Sequence, residues 1–264
     1  MSSSLSSFSD AIAVIEGYHT KDPNVQEAQH IIEEQLKNAA ENDHEKRGDC
    51  YYLLLRLLFK GHIPFENPVA KTYYEHMTEH FTTQEQHYKL EIMHEEDDRK
   101  RSIKVSQLKA FYKLMERYYA TLESLYTHNG FVEAKDRSYY QKMIFRKNRF
   151  LLEHEFLKYL GYSILQSTTK FGLSIQRWMI TVMLSIFIFS ILFYLVDITA
   201  TAKLIPGETR FGFDYIYYSI LNFTTLGSPE FAAHTLVQRF LSGAEVLIGY
   251  TMLGMFVNIL FKRF

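Results

Sequence analysis

The chain has 264 residues, 47% of them hydrophobic, which excludes a globally disordered protein and predicts about two domains. Its 29 basic and 30 acidic residues give a net charge of -1, so it lacks the basic excess that general nucleic-acid binding requires. The single cysteine, Cys50, excludes an intrachain disulfide and a four-cysteine zinc site, and we expect it to be a buried thiol. With only 12 Gly and 5 Pro, the chain is expected to be all-α.

Residues 1–168 are predicted to form a cytoplasmic helical domain, because apolar and aromatic residues recur there at helical spacing. We expect the two longest of its candidate helices to be interrupted. The candidate helices cover residues 9–18, 24–41, 44–60, 66–81, 84–128 and 132–168.

Two segments of this domain, 40–58 and 125–143, resemble tetratricopeptide-type repeats. Each contains a helix, a polar turn and a later helix with a pair of tyrosines, which we expect in the core. The usual period of about 34 residues is not clean, so a generic helical bundle is the alternative. Such a domain is expected to bind a protein or ligand partner, or to assemble subunits.

Two patterns in the helical domain resemble metal sites but favour other interpretations. His76 and His80 stand four residues apart, a spacing that can hold zinc, but Met77 replaces the Glu of the metalloprotease pattern. A solvated helix face is therefore favoured. The acidic run 94–98 is followed by basic residues at 99–101, which predicts ion pairs within a helix rather than a calcium site. No phosphate-binding loop, dinucleotide fingerprint or nucleophile elbow is present, so we expect neither an enzyme nor a metal or cofactor.

The residues from 169 onward are predicted to form a membrane domain. Residues 178–196 carry no charge over 19 positions, and a helix of that length reaches about 28 Å, close to the thickness of the hydrocarbon core. This predicts a first span at about 177–198. A second span is predicted at about 240–261, where Glu245 is expected to have a structural partner because a lone acid is costly at membrane depth.

Basic residues flank both predicted spans on the same side. Lys170 and Arg177 precede the first span, and Lys262 and Arg263 follow the second. Because basic flanks remain in the cytoplasm, we expect both the N- and C-termini there, in a plasma or inner membrane.

The segment between the spans is unusually apolar for a loop. A predicted helix at about 213–224 is too short to cross a membrane, and a polar turn containing Gly227 follows it. This pattern is typical of a re-entrant segment, which survives at membrane depth only inside protein or along a water-filled path. Two spans cannot enclose such a path alone, whereas several copies around an axis can.

The segment YYSILNFTTLGSPEF resembles the pore helix and selectivity filter of two-transmembrane potassium channels of the bacterial ion-channel family. The resemblance covers residues 175–264 and puts the filter at 225–229. It implies a homotetramer in the lipid bilayer, with potassium or another monovalent cation as the permeant ion. It assigns Thr224, Thr225, Leu226, Gly227 and Ser228 to the filter, Pro229 and Glu230 to the outer mouth, and Gly249, Gly254 and Asn258 to the pore or gate of the inner helix.

Two filter positions depart from the family pattern T-T-V-G-Y-G-D. Ser228 occupies the tyrosine position, and Pro229 occupies the second glycine, where its fixed φ forbids the expected backbone. A non-selective cation channel is therefore one alternative. A second is a non-conducting, membrane-anchored scaffold, and a third is a pore that depolarises the cell when a trigger binds the helical domain.

Overall fold

A computed structural model of the chain describes residues 7–16, 25–60, 67–200, 203–204, 212–226 and 233–263. Over these residues the chain forms ten helices and no strand, which confirms the all-α prediction. The connections predicted between the first and second candidate helices, and between the third and fourth, lie outside the described residues. The helices are α1 (Phe8–Glu16), α2 (Val25–Asn38), α3 (His44–Lys60), α4 (Pro68–His94), α5 (Asp98–His128), α6 (Val132–Leu152), α7 (Phe156–Thr169), α8 (Ile175–Thr199), α9 (Gly212–Phe223) and α10 (Leu236–Arg263).

The chain divides into two compact units, Met1–Tyr159 and Leu160–Phe264. The boundary falls within α7, whereas the sequence placed it after residue 168. In the N-terminal unit α3 packs chiefly on α4, and α5 on α6. Its core is unusually rich in buried aromatic rings, which bury more apolar area per residue than aliphatic side chains do. They include Tyr52, Tyr74, Phe81, Phe111, Tyr112, Tyr119, Tyr126 and Phe145.

The helix boundaries differ from the predicted ones near the middle of the N-terminal unit. A break was predicted between residues 81 and 84, but α4 continues through it. Thr82 and Thr83 direct their hydroxyls back to the carbonyls of Thr78 and Glu79, at 2.7 and 3.0 Å, which satisfies both hydroxyls inside the helix. The predicted interruption of the two longest candidates is confirmed at 95–97 and 153–155.

The acidic run at 94–98 begins a helix instead of lying within one. Asp97 caps α5 by accepting from the backbone N–H of Arg99 at 2.8 Å. Lys104 then reaches back across the junction to Glu95 at 2.9 Å. The predicted pairing of an acid with a base of the same helix is confirmed for Asp98 and Arg101, 3.5 Å apart, whereas residues 95–97 lie in the non-helical junction between α4 and α5.

His80 lies beside a histidine of another helix. Its Nδ1 is 3.1 Å from Nδ1 of His44, a contact between α4 and α3 that the predicted solvated face did not include. Burial, Arg47 and His44 lower the pKa of His80. Among the described residues, no group of three or more His, Cys, Asp or Glu side chains is placed to hold a metal ion. Cys50 is buried and free, as expected.

Asp49→Asn is expected to stabilise the N-terminal unit above pH 6. Burial is the main cause that raises the pKa of Asp49 from 3.8 to about 6, with Glu45 and Asp43 adding to it. The folded state therefore holds this proton more tightly, and the free energy of unfolding falls as pH rises through that interval. A difference of roughly 2 pKa units corresponds to about 3 kcal/mol at most, and we expect a gain of about 1–3 kcal/mol at pH 8.

Urea unfolding of the detergent-solubilised chain, followed by the near-ultraviolet circular dichroism of its tyrosines, measures this gain. It should nearly vanish at about pH 3, below both pKa values, where Asp49 is protonated in the folded and the unfolded state. Glu41→Gln, at an exposed acid just before α3, serves as the control. A gain that persists unchanged at about pH 3 would show that the ionised carboxylate is not its cause.

Candidate pore site

The C-terminal unit, Leu160–Phe264, is called the membrane unit below, and it has a short helix between two long ones. α8 and α10 are both long and apolar enough to cross a membrane, and the predicted spans 177–198 and 240–261 lie within them. Between them α9 has 12 residues, or about 18 Å, which is too short to cross. Its bounds agree within one residue with the predicted pore helix at 213–224.

A buried acid fixes the start of α9 to the end of α8. Asp197 is fully buried, and its Oδ2 accepts from the Tyr215 hydroxyl at 2.8 Å. Its Oδ1 accepts from the backbone N–H of Leu204 at 2.5 Å, while Lys203 donates to the Asp197 carbonyl at 2.6 Å. Every hydrogen bond here satisfies a group that would be costly to bury alone. We did not predict this role, although an acid at the end of an apolar span was a visible signal.

A second polar contact joins α8, α9 and α10 at the middle of α9. The Ser219 hydroxyl contacts Oε1 of Glu245, and it lies 2.9 Å from the carbonyl oxygen of Ile186. Ser219 and Glu245 are both fully buried. The expectation that Glu245 has a structural partner is therefore confirmed.

Two of the three tyrosines of α9 pack inside the chain, Tyr215 against Asp197 and Tyr218 against α8 and α10. The Tyr218 ring meets Phe193 edge-on, with centroids 4.8 Å apart, and its hydroxyl is 2.9 Å from Oγ of Ser242. The third, Tyr217, is 46% exposed on the single chain.

The C-terminal end of α9 closes in a left-handed turn. The backbone N–H of Leu226 donates to the Leu221 carbonyl at 3.0 Å, and that of Thr225 donates to Asn222 at 2.9 Å. These are the two hydrogen bonds of a Schellman motif, whose left-handed position is usually glycine. Here Thr225 holds it, with φ of 59°. A β-branched residue in this region is strained, which is typical of a functional site.

The described part of the predicted filter is therefore Thr224, Thr225 and Leu226. All three are exposed at the end of α9, and the Thr224 hydroxyl turns back to the Ile220 carbonyl at 2.7 Å. The predicted filter residues Gly227 and Ser228 lie outside the described residues, as do the outer-mouth residues Pro229 and Glu230.

The predicted inner-helix residues lie on two different surfaces of α10. Gly249 is buried where α10 passes the end of α9, and a Cβ there would collide with the carbonyl oxygen of Phe223. Gly254 and Asn258 are exposed. A mostly apolar cavity of about 310 Å³ lies next to the end of α9, between α8 and α10. Its lining includes Trp178, Thr225 and Gly249.

A comparison with protein families matches residues 179–264 to the family described as "Ion channel". The match covers nearly all of α8, together with α9 and α10, and it amounts to about a third of the chain. A search of curated proteins and a search of solved structures found no match. With its two membrane-capable helices, the C-terminal unit therefore has the features of an ion channel in a membrane.

The N-terminal unit lies outside the matched residues. Its tetratricopeptide-like character therefore stays a prediction, as do the inner-helix roles of Gly249, Gly254 and Asn258.

Proposed function

We propose that the chain is one subunit of a homotetrameric cation channel that conducts potassium. The observation that carries this proposal is the exposed, left-handed end of α9, held between two helices that can cross a membrane. Each chain offers Thr224 to Leu226 on an open surface, so four copies around an axis would bring four such ends together.

The chemistry of α9 suits a cation. The C-terminal end of a helix carries partial negative charge, and the end of α9 is where the predicted filter begins. A dehydrated potassium ion needs oxygens in place of its water, which carbonyls of four chains would supply. The Thr225 hydroxyl would add the innermost ring. Nothing in this process requires a cofactor other than the permeant ion.

The second candidate is a non-selective cation channel, favoured by the sequence at Ser228 and Pro229. Proline lacks an N–H and fixes φ near -65°, so the outer filter would differ from that of the family. Fewer ordered sites would weaken discrimination between potassium and sodium. The third candidate, a non-conducting scaffold, would retain the fold without ion flux.

The N-terminal unit is proposed to be a tetratricopeptide-like module that gates the pore on binding a protein or ligand. Its helices lead into the membrane unit through α7, which ends six residues before α8 begins. Under this proposal both termini are cytoplasmic, in a plasma or inner membrane, because the basic flanks of the spans lie on that side.

Ion flux from liposomes tests this proposal. The full chain is reconstituted with potassium chloride inside, and flux is recorded under a potassium or a sodium gradient. Thr225→Val keeps the shape of the side chain but removes the hydroxyl, and we expect potassium flux to fall about tenfold, equivalent to about 1.4 kcal/mol. Thr251→Val in α10 is the matched control, because the Thr251 hydroxyl already bonds to the Leu247 carbonyl within its own helix and lies outside the proposed filter, so its loss should change flux little.

The outcomes separate the three candidates. Potassium flux without sodium flux supports the selective channel. Equal flux of both ions, lost in Gly227→Pro, identifies a non-selective pore. A tetramer without flux, also when the N-terminal unit is removed, would exclude both channels and favour the scaffold.

A further inference from the structure

A cluster of histidines joins α3 to α4 in the N-terminal unit. The His44 ring, at the first residue of α3, lies near two rings of α4, with centroids 5.4 Å from His80 and 5.7 Å from His87. Tyr51 of α3 stacks on His76 and His80, with centroids 5.2 and 5.7 Å away. The contact between the two helices therefore contains several groups that can gain a positive charge between about pH 5 and 8.

Close packing of the two helices sets the position of His44. Gly48 of α3 lies so near the Phe81 ring that an added Cβ would be 2.5 Å from a ring carbon. His44 lies about one helical turn before Gly48, and His80 directly precedes Phe81, so the same close approach brings the two imidazoles together. Their Nδ1 atoms are 3.1 Å apart, which is a hydrogen-bond distance.

The contact between the two Nδ1 atoms is compatible with only some protonation states. A neutral imidazole has one N–H and one bare nitrogen, whereas an imidazolium carries an N–H at both nitrogens. Nδ1 of one histidine can therefore donate to the bare Nδ1 of the other while the pair is neutral or carries one added proton. When both rings are protonated, two N–H groups face each other and two positive charges meet in a half-buried site.

The surroundings of His80 oppose a second proton on the pair. Burial is the main cause that lowers the pKa of His80 from 6.5, and Arg47, His44 and His76 lower it further. Glu79 acts in the opposite direction, but its carboxylate is exposed and lies 3.6 Å from His76. Since the unfolded chain binds this proton more readily, the contact stabilises the fold fully above pH 6.5 and progressively less as pH falls below it.

Several acids on the helices packed around the pair accept hydrogen bonds from other groups. They are Asp10, which accepts from Ser7, Glu33 from Gln29, Asp43 from Lys46, and Glu45 from Tyr88. Asp49 of α3, which interacts with Tyr118 of α5, has its pKa raised by burial to about 6 and favours the folded state as pH falls. Its titration therefore opposes that of the histidine pair over the same interval of pH.

We propose that His44 and His80 form a proton-sensitive contact, which holds the start of α3 against α4 and opens when both imidazoles are protonated. An arrangement in which the two rings separate into water binds one more proton than the closed one. The ratio of open to closed chains should therefore rise by up to about tenfold for each pH unit below 6.5. This inference goes beyond the proposed function, because the pair lies outside the residues matched to the ion-channel family and requires no ion conduction.

The reactivity of Cys50 in the full, detergent-solubilised chain tests this contact. Cys50 lies on α3, is fully buried and is the one cysteine of the sequence, so a thiol reagent reaches it only when the packing around α3 opens. The reagent is a dipyridyl disulfide, which reacts with thiols down to acid pH, and each rate is divided by that of free cysteine at the same pH. All chains carry Asp49→Asn, which removes the opposing titration, and the buffer contains EDTA to exclude a bound metal.

From about pH 7 to about pH 5.5, the relative rate should rise several-fold, up to about tenfold, in the chain with Asp49→Asn alone. His80→Asn and His44→Asn should each abolish this rise, because the amide oxygen of Asn accepts from Nδ1 of the remaining histidine whether or not that ring is charged. His94→Asn on α4 is the matched control and should retain the rise, because Nδ1 of this exposed histidine is 2.8 Å from the Leu90 carbonyl oxygen of its own helix.

An equal rise in the His80→Asn, His44→Asn and His94→Asn chains would overturn the proposal, since another group would then carry the pH dependence. A relative rate that does not change with pH in the chain with Asp49→Asn alone would also overturn it. If His80→Asn misfolds and leaves Cys50 reactive at every pH, the result for His44→Asn decides, because that substitution changes the other partner, at the end of a helix.

Discussion

Gly249→Ala is expected to reduce ion flux more than tenfold and to destabilise the membrane unit. The added Cβ would occupy the position of the Phe223 carbonyl oxygen, at the last residue of α9. Either α10 or the end of α9 must move, and overpacking of this kind costs about 1–3 kcal/mol. Because α9 ends directly before Thr224, the displacement would reach the proposed filter.

The matched control is Gly243→Ala on the same helix, at a glycine with no assigned role in the pore. A Cβ at Gly243 has nothing within 4 Å, so alanine there should be neutral or gain up to about 1 kcal/mol from helix propensity. The midpoint of thermal unfolding in detergent, together with liposome flux, distinguishes the two variants. If both alanines behave alike, the close approach of α10 to α9 is not what positions the filter.

Glu245→Ala is expected to be severe and Glu245→Gln mild. One hydroxyl carries one hydrogen, so Ser219 can donate fully either to Glu245 or to the Ile186 carbonyl. Glutamine supplies an N–H that donates to the Ser219 oxygen while Ser219 donates to the Ile186 carbonyl, so both of these groups keep a hydrogen bond. Alanine removes the contact between α9 and α10 and leaves a void in place of the glutamate side chain. We expect this to cost about 2 kcal/mol or more of stability.

Thermal unfolding and potassium flux of both variants, compared with Ser219→Ala, measure the contact between α9 and α10. The double variant Ser219→Ala with Glu245→Ala should lose less than the sum of the single losses, because the two residues share one interaction. A glutamine variant as impaired as the alanine variant would contradict this account, since it would mean that a negative charge is required at this buried position.

The membrane helices were predictable because their signal is local. An uncharged run long enough to cross a bilayer identifies α8, and a shorter apolar run between turn residues identifies α9. The helix break predicted between residues 81 and 84 is wrong because that prediction relied on local helix propensity alone. Thr82 and Thr83 have low helix propensity, but packing of α4 on α3 and α5 outweighs a weak local preference.

The contacts that position the end of α9 were mostly not predictable. Asp197 meets Tyr215, and Ser219 meets Glu245, across chain separations that a single sequence does not pair. The left-handed turn at Thr225 was not predictable either, because a β-branched residue rarely adopts positive φ and only the surrounding structure can impose it.

The short connection between α7 and α8 is expected to tolerate few insertions or deletions. Successive residues of a helix are about 100° apart around its axis. Lys170, Phe171 and Gly172 in this connection all have positive φ, and the Thr168 carbonyl oxygen lies 3.3 Å from Oγ1 of Thr181 in α8. A one-residue insertion between Thr169 and Ile175 would disturb this turn and rotate the end of α7 away from Thr181. Length changes should therefore accumulate in other connections of the chain, while this one keeps its residue count.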